Sequence, residues 1–492
     1  MVIIVGFTSC KTVSQSTLQP QKYSAAQLHK ELSLLQNILE ANHPSLYWYT
    51  PKDSIDKYFI TTHASLKDSI SETDYKNKVA WILSKIKCGH TVVRHSKSYS
   101  QQFQKVQSPF FPLSIKIWSD SAVIVANIHR SDSILKRGTI ITGINNYTIK
   151  KIVDSMFSLM STDGNSLNFK YQVISFNFPA YYRNAFGLDS QYIIHYIDSL
   201  GNKNHKVINN FYPKVDTGRR SQIISAPFRL TRKERKSLSV LDKRSMQIDT
   251  ALQTAILSIN TFSDATLQKF YRQSFKTIRK NNIKNVVLDL RQNSGGNILS
   301  SKKLTQYLAD KPFKIADTVA AISRKFAYKQ HIKPWLLYWL SMHLTGRKLK
   351  DNQIHFRYFE RHYFKPKTKN HFDGQVYIVA GGYTFSAATL VTGALVHQKN
   401  VILVGEETGG GAYGNTAMHL PSIILPTTGL RVTLPLYRIV VNNSLPKNGR
   451  GIMPDVAVYP SSYLIKQAVD GKMQKVREMI IAENAKSAAG LK

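Results

Sequence analysis

The sequence predicts an α/β core in the C-terminal half of the chain, preceded by a helical unit and a β-rich segment. Three observations carry this. From about residue 246, apolar strand-like runs alternate with amphipathic helical runs, the pattern of an α/β layer. Residues 20–90 repeat apolar side chains at helical spacing. Between these regions, residues 111–149 and 191–198 alternate apolar and polar side chains as half-buried strands do. A chain of 492 residues exceeds one ordinary core, so two or three domains are expected.

In chain order, the opening MVIIVGFTSCKTVSQ holds a short apolar run and then Phe7-Thr8-Ser9-Cys10. Small residues before a cysteine, after an apolar run, resemble the bacterial lipobox. That resemblance implies lipidation of Cys10 and a protein anchored in a bacterial cell envelope, facing the periplasm or the exterior. The basic stretch that usually precedes such a run is missing. Leu28, Leu32, Leu35 and Leu39 form one helical face, and Tyr75, Val79, Ile82, Leu83 and Ile86 a second. Ser71 or Thr73 is the expected cap of the second helix, and Gly89 its terminator. Strands are expected at 111–118, 121–128 and 138–149, with a turn at Asn145-Asn146. A helix over IKKIVDSMF and a strand at 191–198 follow. The polar stretch 199–221 reads as a way out of this unit, and 230–245 as a linker or exposed helix.

AILSINTF (255–262) and NVVLDLR (285–291) are core strands, with a helix between them and another through Leu304 and Leu308. An insertion, roughly 315–370, carries WLLYWLSMHL, apolar on nearly all sides. It could pack into the core, lie on a membrane or close over a site. Expected boundaries are 1–20 (signal and linker), 21–100 (helical), 101–220 (β-rich), 240–460 (α/β core) and 461–492 (C-terminal helix).

The net charge of +37 is spread along the chain, with local clusters at 229–236 and 347–350. Neither cluster forms a nucleic-acid motif, so an anionic membrane surface is the expected partner rather than nucleic acid. With only Cys10 and Cys88 present, and Cys10 assigned to lipid, no intramolecular disulfide or cysteine-rich zinc site is available. No metal or cofactor is expected.

Chemistry concentrates in QVYIVAGGYTFSAATLVTGALV (375–396): strand, Gly381-Gly382 turn, Ser386, helix. A serine there either caps the helix or acts as a nucleophile. The free N–H of Ala387 could meet an oxyanion. A second donor could come from LDLRQNSGGN, where Gly295 and Gly296 allow close backbone approach. Asp289 and Arg291 read as a structural pair.

These two segments, followed by VGEETGGG (404–411) and GIMPDVAV (451–458), resemble in order and spacing the S41 peptidases, the family of the tail-specific and tricorn core proteases. LKRGTIITGINNYTIKKI resembles that family's PDZ-like module, and the unit ending in KCGHTVV the front of its bacterial lipoprotein members. The resemblance implies a ClpP/crotonase-like α/β peptidase core behind a helical unit and a PDZ-like β-rich domain. It implies Ser386 as nucleophile, and an oxyanion hole from Gly295 or Gly296 with Ala387. It also implies protein or peptide substrates, bound in part by strand addition to the PDZ-like module. The lysine base of tail-specific members would fall near Gly411, but no lysine stands from Val401 to Pro421. The tricorn-type histidine slot is filled by His90, so a Ser-His arrangement is expected. Its relay serine is replaced by Gly89, and LPKNGR lacks the relay acid. Glu407, or Glu406 beside it, is the expected orienting acid; otherwise both cap a turn or face solvent. The competing function is an inactive relative that binds a peptide or hydrophobic ligand.

Overall fold

The four leucines of the first helical face are fully buried on α1 (Ala25–Asn42), whose Ser24 and Gln27 form a reciprocal capping box. After α2 (Lys52–Ala64) comes α3 (Glu72–Ile86), capped by Ser71, which accepts the Asp74 N–H. The computed structural model describes residues 21–105, 108–119, 121–212, 231–488 and 490. Cys10 lies outside the described residues. The left-handed residue that ends α3 is Lys87 (φ 58°), not Gly89. Gly89 serves another purpose, described below.

The β-rich unit is an antiparallel sheet of Leu113–Trp118, Ser121–Asn127, Ile140–Ile144, Gln191–Ile197 and Lys203–Asn209, in that spatial order. Asn145 (φ 53°) makes the expected turn, and the helix over IKKIVDSMF spans Ile149–Phe157. The strand Lys203–Asn209 runs through the stretch that reads as polar. Only Ile208 of its side chains is buried, so its pairing with Gln191–Ile197, not an apolar pattern, makes it a strand.

The α/β core is a six-stranded sheet in chain order: β1 (Arg244–Asp249), β2 (Thr254–Ile259), β3 (Asn285–Asp289), β4 (Gln375–Ala380), β5 (Val401–Gly405) and β6 (Val456–Ala457). β1 is antiparallel to β2 and the remaining pairings are parallel. The period of two sends Val286 and Leu288 to one face and Val287 to the other. The first face is covered by α4 (Leu267–Lys280), α5 (Ile298–Leu308) and, beyond the α6 insertion helix (Trp335–Thr345), by α7 (Ala387–Leu395). α8 (Gly471–Ala488) covers the second through Val476 and Ile480. Burial on both faces explains why these strands are continuous apolar runs.

The helical front shares one hydrophobic core with the insertion and with residues 417–439. Two contacts fasten it there. Val93–Arg94 adds an antiparallel strand to the hairpin of Ser422–Ile424 and Arg431–Thr433. The buried Glu31 carboxylate of α1 accepts the Thr427 and Thr428 N–H groups and the Thr428 hydroxyl. Within α6, Met342 is buried and Trp335 and Tyr338 pack on the shared core, while Leu336, Leu337, Leu340 and Leu344 are exposed. Core packing therefore accounts for one side of the insertion helix only.

Candidate active site

β4 delivers Gly381-Gly382 to its C-terminal end, and Ser386 stands at the N-cap of α7. Its side chain makes no capping bond. Its backbone sits at φ 54°, ψ −122°, a conformation that a non-glycine residue adopts at a cost of roughly 1–3 kcal/mol. Neighbouring bonds hold it there. Phe385 N–H donates to the Asn293 carbonyl at 3.0 Å, and Leu390 N–H to the Ser386 carbonyl at 3.2 Å. Gly410 packs closely on this turn: an added Cβ would clash with Thr389 Oγ1 and lie 3.1 Å from the Ser386 nitrogen.

The short strand at Val93–Arg94 brings the preceding loop over this turn. His90 Nε2 lies 3.1 Å from Ser386 Oγ, across 296 residues of sequence. The His90 ring packs on Phe385, with centroids 4.9 Å apart. Burial drives its imidazole down to about 4, so the ring is neutral and Nε2 is free to accept. Nδ1 then carries the proton, and it is buried without a hydrogen-bond partner among the described residues.

Of the glycine donors, Gly295 N–H is already given to Asn293 Oδ1 at 2.8 Å. This corrects Gly295 as an oxyanion donor. Its part is steric: at φ +103°, an added Cβ would meet Ser386 Cβ at 2.7 Å. Gly296 and Ala387 N–H have no acceptor among the described residues. Asn293, fully buried, ties the two turns together: its amide also donates to the Ile259 carbonyl. Sequence reasoning missed Asn293, although a polar residue inside a strand-to-glycine turn is a usable signal.

Glu407 is not beside the imidazole. Both of its oxygens are held by Arg450, at 2.9 and 2.7 Å, and the Gly451 N–H donates to it at 2.8 Å. A guanidinium fork and a backbone donor saturate that carboxylate, so its role as the orienting acid is corrected to a loop clamp. Glu406 pairs with Lys472 at 2.6 Å. Arg291 bridges Asp289 and Asp470 as a structural pair.

The acid packed beside the His90 segment is Asp163, from the loop after the β-rich unit's first helix. Residues 161–164 run along 87–91: Gly164 N–H donates to the Lys87 carbonyl, Gly89 N–H to Asp163 Oδ1 at 2.8 Å, and Ser161 Oγ to the Thr91 carbonyl. Gly89 is required by this approach. A Cβ there would meet Phe385 at 2.5 Å and Asp163 Oδ1 at 3.1 Å. Asp163 also packs toward Gly411, where an added Cβ would lie 3.9 Å from its own. Burial pushes the Asp163 carboxyl up to about 7, against the lowering effect of the Gly89 and Gly411 N–H groups. Oδ2 is buried without a partner among the described residues. Tyr49 and Cys88 face it, and burial raises both, so they remain neutral. No spacing in the sequence pointed to Asp163.

A cavity of about 690 Å³ opens between the β-rich unit, the core and the start of α8. Neither Ser386 nor His90 lines it, but Ser294, Gly381 and Tyr383 of the two glycine turns do, with Lys116 and Gln172 opposite.

Residues 253–458 match the model of peptidase family S41. The chain carries an S41 peptidase domain. With it comes the class of serine peptidase, acting on peptides or proteins. The S41 match contains Ser386 and both glycine turns, whereas His90 and Asp163 lie ahead of it. No curated protein matches the chain. Among solved structures, mature CPAF is 13% identical with a TM-score of 0.63, covering 93% of this chain and 96% of its own. CPAF complexed with lactacystin is 13% identical, with a TM-score of 0.61 and coverage of 93% and 98%. The photosystem II D1 C-terminal processing protease is 12% identical at a TM-score of 0.41, covering 89% and 97%. At such identities the CPAF likeness shows the fold alone.

Proposed function

We propose that the enzyme is an endopeptidase that cleaves through an acyl-enzyme on Ser386, with His90 as general base in place of a lysine. The observation that carries this reading is the 3.1 Å approach of His90 Nε2 to Ser386 Oγ, beside a strained turn whose serine caps nothing. Ser386 Oγ attacks the scissile carbonyl carbon as its proton passes to Nε2. Gly296 and Ala387 N–H groups receive the oxyanion. The imidazolium then protonates the leaving amine, and water, deprotonated by His90, hydrolyses the ester. Asp163 is the acid of the site. Ionised, it stabilises the imidazolium that forms when Ser386 loses its proton. Nδ1 and Oδ2, both buried without a partner among the described residues, leave this site one unused donor and one unused acceptor. The cavity beside the glycine turns offers the space for a peptide. An acyl anchor on Cys10, holding the enzyme to a bacterial envelope membrane, belongs to the same proposal and rests on residues 7–10 alone.

A fluorophosphonate probe is expected to label the wild type and not Ser386→Ala, with casein turnover lost in both Ser386→Ala and His90→Ala. Equal labelling of wild type and Ser386→Ala would remove Ser386 as nucleophile.

A further inference from the structure

The insertion helix α6 is a surface that the peptidase chemistry leaves unused. Its eleven residues, WLLYWLSMHLT, divide cleanly. Trp335, Tyr338 and Met342 turn inward, and Ser341 is held by His419 at 2.8 Å. Leu336, Leu337, Trp339, Leu340 and Leu344 are exposed, at 58, 61, 37, 49 and 77%. Five large apolar side chains on one short helix are far more than scattered surface hydrophobics.

The charge around this face is one-sided. Between residues 318 and 350 there are seven Lys and Arg residues and no Asp or Glu, the flanking acids being Asp317 and Asp351. Lys329, Lys333, Arg347, Lys348 and Lys350 are all exposed. None of these five is in an ion pair with a described residue. Lys329 lies over the Trp335 ring at 5.1 Å, at the helix start, and Arg347 and Lys348 follow its end.

We infer that α6 is an interfacial docking helix for an anionic lipid bilayer. Leucines and a tryptophan on the outer side match the acyl boundary, and cations at both ends match phosphate headgroups. At about 1.5 Å per residue, eleven residues reach only some 16 Å, too short to cross a bilayer core of about 30 Å. The helix therefore lies in the plane of the membrane. Charge selects this occupant over a second copy of the chain: at a net +37, two such basic faces repel, whereas an anionic lipid surface attracts them. This docking is independent of any acyl group on Cys10.

The test uses the full chain carrying Cys10→Ser, so that no lipid anchor contributes. It is sedimented with vesicles of phosphatidylcholine alone and of phosphatidylcholine mixed with phosphatidylglycerol. Binding is expected on the anionic vesicles, weakening as salt is raised, and reduced at least about tenfold by Leu337→Asp with Leu344→Asp. Arg347→Glu with Lys348→Glu is expected to abolish the preference for anionic over neutral vesicles. Fluorophosphonate labelling of Ser386 reports whether each variant is folded. Should the leucine variant not fold, quenching of tryptophan by brominated phosphatidylglycerol, lost in Trp339→Phe, supplies the same answer on a conservative variant. Undiminished binding in the leucine variant, or unquenched Trp339 on bound vesicles, overturns the inference. So does an absence of vesicle binding, with or without self-association that the leucine variant abolishes.

Discussion

Replacing Asp163 by asparagine is expected to make the protein more stable and less active at the same pH. The carboxyl is raised by burial from 3.8 to about 7, roughly three pH units at about 1.4 kcal/mol each. Its folded value exceeds its unfolded one, so the folded state binds more protons between these limits. The contribution of this group to stability is intact below about pH 4 and falls as pH rises, reaching its full loss above about 7. At pH 8 the wild type thus carries a destabilising charge of up to about 4 kcal/mol, which Asp163→Asn removes while its side-chain oxygen still accepts the Gly89 N–H. Urea unfolding at pH 8 and pH 4 should show a gain in the variant at the higher pH and near equality at the lower. Casein turnover moves the other way, with kcat down roughly 10²-fold or more because the imidazolium loses its anion. The acidic limb of the pH profile moves too. It follows ionisation of Asp163 near 7 in the wild type, and His90 alone near 4 in the variant. Stabilisation with undiminished kcat and an unmoved limb would make Asp163 a structural residue. That outcome would leave the Ser386–His90 reading intact, since Ser386→Ala and His90→Ala test it separately.

Gly295→Ala places a Cβ 2.7 Å from that of Ser386 at a φ of +103°, so casein turnover and fluorophosphonate labelling should both fall by about 10²-fold or more. Turnover within about threefold of wild type would show that the turn yields. Glu407→Gln weakens the Arg450 clamp, whose arginine is half exposed, and should cost about 1 kcal/mol of stability while leaving kcat within a few fold. A loss of kcat comparable to His90→Ala would return Glu407 to the catalytic machinery.

The legible part of this protein was local. The leucine face of α1, the buried runs of β3 and β4 and the Gly381-Gly382-to-Ser386 turn each declare themselves within about twenty residues, because periodicity and glycine placement are properties of short segments. The illegible part was made of short strands with little apolar pattern. Val93–Arg94 is two residues long, and becomes a strand only because a hairpin more than 330 positions later accepts it. Asp163 stands in a loop, and Asn293 in a turn that already looked complete without it.

By itself, the order of amino acids determined the α/β core, the glycine turn that leads to Ser386, the lack of any lysine from Val401 to Pro421 and the surplus of positive charge. Only the tertiary structure brought the expected His90 within 3.1 Å of Ser386, and only it showed that Arg450 takes Glu407 out of reach, that Asp163 packs against Gly89, and that α6 turns five apolar side chains outward. The physical reason is that backbone pattern is set by neighbours in sequence, whereas proton transfer depends on contacts of about 3 Å between segments that folding alone brings together.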